Sequence, residues 1–216
     1  MHWIFIWLRR CLPNTWQVAL FRSVAGFAGV LSLACAAMAI DAELDEAQAI
    51  RALQQGGQIV YLRHAARSGG PREKLDQWSS AAQFADCRTQ RNLTPVGQAQ
   101  ARQLGEYWRR LRIPVERVIA SAQCRTRDTA ILAFGAAETD PRLFDLDFVR
   151  RLLAEPAPAG KNRVVVGSDA QLRELTGVEL GYAEVALVKG DGKGGISVVA
   201  RLDLDDWADA AEPGWW

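Results

Sequence analysis

Residues Tyr61-Leu62-Arg63-His64-Ala65-Ala66-Arg67 set one imidazole directly after one guanidinium and three places before another. An uncharged imidazole is a base or a nucleophile near neutral pH, and guanidinium forks match the oxygens of a phosphate or a carboxylate. The apolar run just ahead, residues 58–62, reads as a short buried strand, so the His stands where that strand ends. In open α/β sheets ligands gather beyond the carboxyl ends of strands. The plainer alternative is a His that merely caps a strand. Its company argues for chemistry: two arginines flank it, and the only other His is His2, in a segment expected to be removed.

Two more strand ends could meet it. Val118-Ile119-Ala120 reads as a strand that delivers Ser121-Ala122-Gln123-Cys124-Arg125-Thr126-Arg127-Asp128-Thr129-Ala130, the start of a helix running to about Phe134. Arg163-Val164-Val165-Val166-Gly167 is strongly β and ends at Ser168-Asp169. Between them, Thr94 as N-cap and Pro95 at the first helical position open a helix with the stripe Ala99, Ala101, Leu104, Tyr107, Trp108, Leu111. A helix is also expected over 42–55, and a hairpin over 184–188 and 196–202 across a Gly-rich turn. Residues 68–92 are polar and aperiodic, which suggests a flap over the crevice. Strand and helix alternate, so the expectation is α/β: a three-layer α/β/α sandwich with a mainly parallel central sheet.

The 216 residues, 49% hydrophobic and 24% charged, suit one globular domain over 40–216. The first 39 residues read as a signal peptide: arginines and no acid, an apolar stretch over about 24–37, and the small-x-small pattern Ala37-Met38-Ala39. An N-terminal membrane anchor is the alternative. Removing that segment's three arginines from 26 basic residues leaves 23 against 25 acidic ones, a balance that gives nucleic-acid binding no support. Cys11 and Cys35 go with the leader, so Cys87 and Cys124 remain as one pair in an oxidising setting, either bridged or two buried thiols.

Leu62-Arg63-His64-Ala65, then Asn92-Leu93-Thr94-Pro95-Val96-Gly97-Gln98-Ala99-Gln100-Ala101, then Ser121-x-x-x-Arg125-x-x-x-Thr129-Ala130 resemble, in this order and spacing, the histidine phosphatase (phosphoglycerate mutase-like) superfamily. The resemblance spans about 57–207. The stretch from Asp86 to Thr94, with Cys124 just before Arg125, looks like an exported bacterial subgroup, which places the protein in the periplasm or outside the cell. By this resemblance His64 is the nucleophile that forms a phosphohistidine, and Arg63 and Arg125 clamp the phosphoryl oxygens. Arg67 adds a third fork or stays a solvated lid residue, and Arg127 reads as structural. Leu143-Phe144-Asp145-Leu146-Asp147-Phe148 resembles the family's Leu-x-Glu-x-x-Phe, which puts the proton donor on Asp145, with Asp147 and Asp169 as competitors. The partner is then a phosphorylated small molecule or surface phosphate ester, and no cofactor or metal is called for.

One position departs from the pattern. Family members usually carry a second His after the Val-Gly of the third strand, and here Ser168 stands there. A hydroxyl donates one hydrogen bond and brings no positive charge. Two functions therefore remain open: a phosphatase slowed or adapted at Ser168, and a non-catalytic protein that binds a phosphorylated ligand or an envelope partner through the same arginines.

Overall fold

The structure is a computed structural model that describes residues 43–71, 73–74 and 80–212. The expected leader, its cleavage site and its two cysteines lie outside the described residues. Helix α1 (Glu46–Gln55) leads into β1 (Ile59–Arg63). The flap region holds a short α2 (Ala81–Ala85) and a 3-10 turn over Cys87–Thr89 before α3 (Pro95–Arg110). Then come β2 (Val115–Ala120), α4 (Cys124–Phe134), β3 (Glu138–Thr139), a 3-10 turn over Pro141–Phe144, α5 (Leu146–Ala154) and β4 (Asn162–Gly167). Helix α6 (Asp169–Thr176), β5 (Val185–Gly190), β6 (Ile196–Leu202) and α7 (Leu204–Ala211) complete the order.

The six strands form one sheet in the order β3-β2-β4-β1-β5-β6. Strands β1, β2, β3 and β4 are mutually parallel, while β5 runs antiparallel to both β1 and β6. The mainly parallel α/β sandwich read from the sequence is thus the observed architecture. Strand side chains alternate between faces, and each face is covered. Val60 and Leu62 of β1 join Val164 and Val166 of β4 against α1, α3, α4 and α7. Ile59, Tyr61 and Val165 point the other way, against α5 and α6. Burial on both sides explains why these strands are apolar runs without alternation. Each fully buried Val, Leu or Ile stabilises the fold by about 1.5–3 kcal/mol.

Register sets the site. Arg63 of β1 pairs with Gly167 of β4, and Ala120 of β2 pairs with Val166. The residues that follow, His64, Ser121 and Ser168, therefore emerge side by side at the carboxyl edge. Two backbone bonds hold that edge together: His64 N–H to the Gly167 carbonyl at 3.0 Å, and Ser121 N–H to the Val166 carbonyl at 3.0 Å. Gly167 has to be glycine, because a Cβ there would stand 2.1 Å from the Tyr61 hydroxyl, which donates to the Ser168 carbonyl at 2.8 Å.

Candidate active site

The segment leaving β1 is braced from three directions, by the residue types that made the sequence motifs recognisable. Ala65 N–H donates to Thr129 Oγ1 at 3.1 Å, and that hydroxyl donates to the Arg125 carbonyl at 2.7 Å. Ala66 N–H donates to Gln100 Oε1 at 3.0 Å, and the Ala66 carbonyl accepts the Thr94 N–H at 3.0 Å. Thr94 also caps α3 by accepting the Gly97 N–H at 3.1 Å. A Cβ on Gly97 would lie 1.9 Å from the Ala66 oxygen, so only glycine lets α3 approach the loop this closely. Thr94, Gly97, Gln100 and Thr129 act on His64 through the backbone beside it.

His64 is 3% exposed. Its Nδ1 lies 2.9 Å from the Ala65 carbonyl oxygen. A carbonyl only accepts, so Nδ1 carries the hydrogen and the Nε2 lone pair is left to face outward. Arg125 Nε–H points at that lone pair from 3.2 Å. Burial is the main reason the imidazole pKa falls to about 3, and the positive charges of Arg125, Arg63 and Arg67 push the same way against the Ala65 hydrogen bond. The ring is therefore neutral at any pH at which the protein would work.

A cleft of about 700 Å³ opens over this point, within the size range of small-molecule sites. Arg63, His64, Arg67, Arg125 and Ser168 all line it. Helices α4 and α6 begin at its edge, so their N-terminal partial charges add to those of the arginines. The Arg63 guanidinium donates to the Leu180 carbonyl and stacks over the Tyr182 ring at 4.3 Å, with Nε buried and unpaired among the described residues. Arg67 also donates to the Ser68 carbonyl at 2.9 Å. Arg127 stands apart, paired with Asp128 at 2.9 Å.

Asp145 is not brought into the cleft. Its carboxylate caps α5 by accepting the N–H groups of Asp147 at 2.9 Å and Phe148 at 3.3 Å, while its neighbours Phe144 and Leu146 do line the wall. A short acid directly before a helix serves that helix's free N–H groups, and this competes with the donor role assigned from the motif. Asp147 is exposed and paired with Arg150 at 2.6 Å. Of the three acids considered, Asp169 alone lines the cleft; it accepts the Leu180 N–H at 2.9 Å and pairs with Arg173 at 3.3 Å.

Two charged residues of the flap were not foreseen. Glu73 reaches Arg125 Nη1 at 2.7 Å and Arg91 Nη2 at 2.6 Å, with further bonds from Arg91 Nε at 3.1 Å and from its backbone N–H at 2.9 Å. Burial disfavours the Glu73 charge, but the Arg91 side chain and N–H and the Arg125 charge outweigh it and hold the pKa at about 2. Arg125 is itself lowered to about 10, chiefly by burial, and stays charged. Neither Glu73 nor Arg91 belongs to a periodic pattern. The presence of a flap was legible; which of its charges turn inward was not. Gln123, fully buried at the start of α4, lines the same cleft with both amide atoms unpaired among the described residues.

The flap is fastened to α4. Cys87 and Cys124 form a disulfide with Cα atoms 5.8 Å apart. Gln90 reinforces it, its Oε1 accepting the Cys124 N–H at 2.9 Å while its Nε2 donates to the Phe84 carbonyl at 2.8 Å. Phe84 in turn stacks on Phe144, ring centres 5.3 Å apart. A bridge closing a loop of 37 residues contributes about 4 kcal/mol in the chain-entropy model.

Residues 59–151 match the model of the histidine phosphatase superfamily (branch 1). No curated protein matches the chain significantly. Among solved structures, the protein histidine phosphatase SixA complexed with tungstate is 16% identical, with a TM-score of 0.47 over 69% of this chain and 98% of its own. A putative phosphohistidine phosphatase SixA from Agrobacterium tumefaciens is 17% identical, with a TM-score of 0.46 over 68% of this chain and 98% of its own. A mycobacterial glucosyl-3-phosphoglycerate phosphatase is 14% identical, with a TM-score of 0.43 over 61% of this chain and 89% of its own.

Proposed function

We propose that this chain, which carries the histidine phosphatase pattern over residues 59–151, is a phosphatase that hydrolyses a phosphate monoester through a phosphohistidine on His64. One observation carries the reading: a buried neutral imidazole, its Nδ1–H held by the Ala65 carbonyl, turns its Nε2 lone pair toward a guanidinium in a cleft lined by further arginines. The lone pair attacks phosphorus in line, the ester P–O bond breaks, and the leaving oxygen takes a proton and departs as an alcohol. Water then attacks the phosphohistidine, which releases inorganic phosphate and returns the neutral ring. Arg63, Arg67 and Arg125 meet the charge on the non-bridging oxygens. Asp145 caps its helix, and Asp169, though it lies in the cleft, is a carboxylate paired with Arg173, so the leaving oxygen takes its proton from water. The cleft has room beyond a phosphoryl group for the organic part of a small ester or of a surface phosphate.

A phospho-ligand binder on the same fold is the second reading, and Ser168 favours it, because the cleft has a hydroxyl where a cationic imidazole is usual. The two diverge on one substitution. Ser168→His returns a protonatable donor to the wall facing the phosphoryl oxygens, so turnover of an aryl phosphate should rise by about 10²-fold, the reverse of deleting one preorganised donor. The gain must vanish when His64→Ala is added. Phosphate binding with no His64-dependent turnover in either protein would leave the binder. The site of action proposed from the leader is the periplasm or the cell exterior, reached by export or on an N-terminal anchor. Among the described residues no helix is long and apolar enough to cross a membrane.

A further inference from the structure

The guanidinium beside the nucleophile is already paired with an anion. Glu73 is 2% exposed in its side chain; its Oε1 accepts Arg125 Nη1 and the Arg91 backbone N–H, and its Oε2 accepts the Arg91 guanidinium. Arg125 has turned one N–H to His64 Nε2 and another to Glu73, so the guanidinium that touches the nucleophile also holds the carboxylate. A phosphoryl group placed for attack by Nε2 has to lie against this same guanidinium. Resting on the phosphatase reading above, the geometry points to Glu73 as a specificity-determining residue: its carboxylate occupies the seat of the phosphoryl group, and an incoming ligand enters by exchanging with it.

Charge counting says which ligands can do so. At the His64 end of the cleft stand Arg63, Arg67, Arg91 and Arg125, and among the described residues the one carboxylate ion-paired with any of them is that of Glu73. On the opposite wall Asp169 is paired with Arg173, and Glu174 lies on the same helix. A monoanion replacing the Glu73 carboxylate trades one charge for one charge and pays the entropy of being bound. A dianion brings a second charge to arginines that the single carboxylate leaves unbalanced. The selected ligand class is therefore a dianionic phosphate monoester, in preference to carboxylates and phosphodiesters. Glu73 stays ionised throughout the working range, so it competes as a full charge.

Titration calorimetry of the folded, disulfide-bonded protein with inorganic phosphate at pH 8 tests this, on wild type, Glu73→Gln, Glu73→Ala and Arg125→Ala. Removing the competing charge should tighten phosphate binding about ten- to a hundredfold in both Glu73 variants, the range expected for charge-assisted hydrogen bonds. Acetate, a carboxylate free to refill the seat, should compete with phosphate in Glu73→Ala and leave the wild type unaffected. Arg125→Ala should bind neither. Unchanged or weaker phosphate binding in both Glu73 variants, with unfolding midpoints like the wild type's, overturns the inference and makes Glu73 a support for Arg125. The same holds if acetate competes equally in wild type and Glu73→Ala. His64-dependent turnover of an aryl phosphate, measured on the same preparations, separates the two failures: if it persists while Glu73 has no effect, the phosphatase reading stands without this inference.

Discussion

Arg125→Ala is expected to lower aryl phosphate turnover by about 10²–10³-fold and to cost about 1.5–3 kcal/mol of stability in the same protein. The rate loss follows from position. Among the described residues Arg125 is the one guanidinium within hydrogen-bond reach of His64 Nε2, so it meets the phosphoryl oxygens as their charge develops. Arg63 is tied to the Leu180 carbonyl and the Tyr182 ring and cannot take its place. The stability loss has a separate cause. Glu73 is buried, and without Arg125 one of its oxygens loses its cation, while Arg91 still holds the other. Arg125→Lys should recover part of the stability and little of the rate, because an ammonium offers a charge but no planar fork. Denaturant unfolding and steady-state kinetics read the two effects independently.

The larger effect belongs to His64→Ala, which should reduce turnover by at least about 10³-fold, a loss of about 4 kcal/mol of transition-state stabilisation. Its pH signature is as informative as its size. The His64 pKa is about 3 in the fold and about 6.5 in an unfolded chain. Between those values the unfolded chain binds a proton that the folded protein excludes. The neutral ring's stabilising contribution is therefore complete above about pH 6.5 and is lost as pH falls toward 3. His64→Ala should flatten the stability-pH curve across that window, shallower by about one proton, while its midpoint near pH 8 reports only the lost packing.

The helices, strands and loop ends that surround His64 were legible because each is specified locally. Val164-Val165-Val166 has no other use than a strand buried on both faces, and Thr94-Pro95 is a helix start by cap chemistry and fixed φ. The His64, Arg125 and Ser168 ends converge because parallel strands in register end at one edge, a consequence of topology that the alternation of strand and helix already implied. Short elements were harder. Strand β3 has two residues, and α2 and the turn at Cys87–Thr89 sit inside a flap without periodicity. Helices α5, α6 and α7 are of eight or nine residues, near the lower limit at which a stripe can be told from chance.

Within the site, what sequence reading missed is what depends on a flap folding back. Glu73 and Arg91 are eighteen positions apart and meet through an ion pair in which two guanidinium N–H groups share one carboxylate oxygen, with no counterpart in local spacing. Asp145 is the opposite case. Its motif is present, but an acid one residue before a helix can satisfy two backbone N–H groups at once, and in this loop it does so.

A covalent phosphohistidine on His64 would be trapped by rapid acid-free quenching of the protein during turnover of an aryl phosphate and located by peptide mass mapping. One added phosphoryl group is expected on the peptide containing His64, lost on acid treatment, present in wild type and in Ser168→His, and absent in His64→Ala. Phosphate released by the wild type with no label on that peptide, and released equally by His64→Ala, would contradict it.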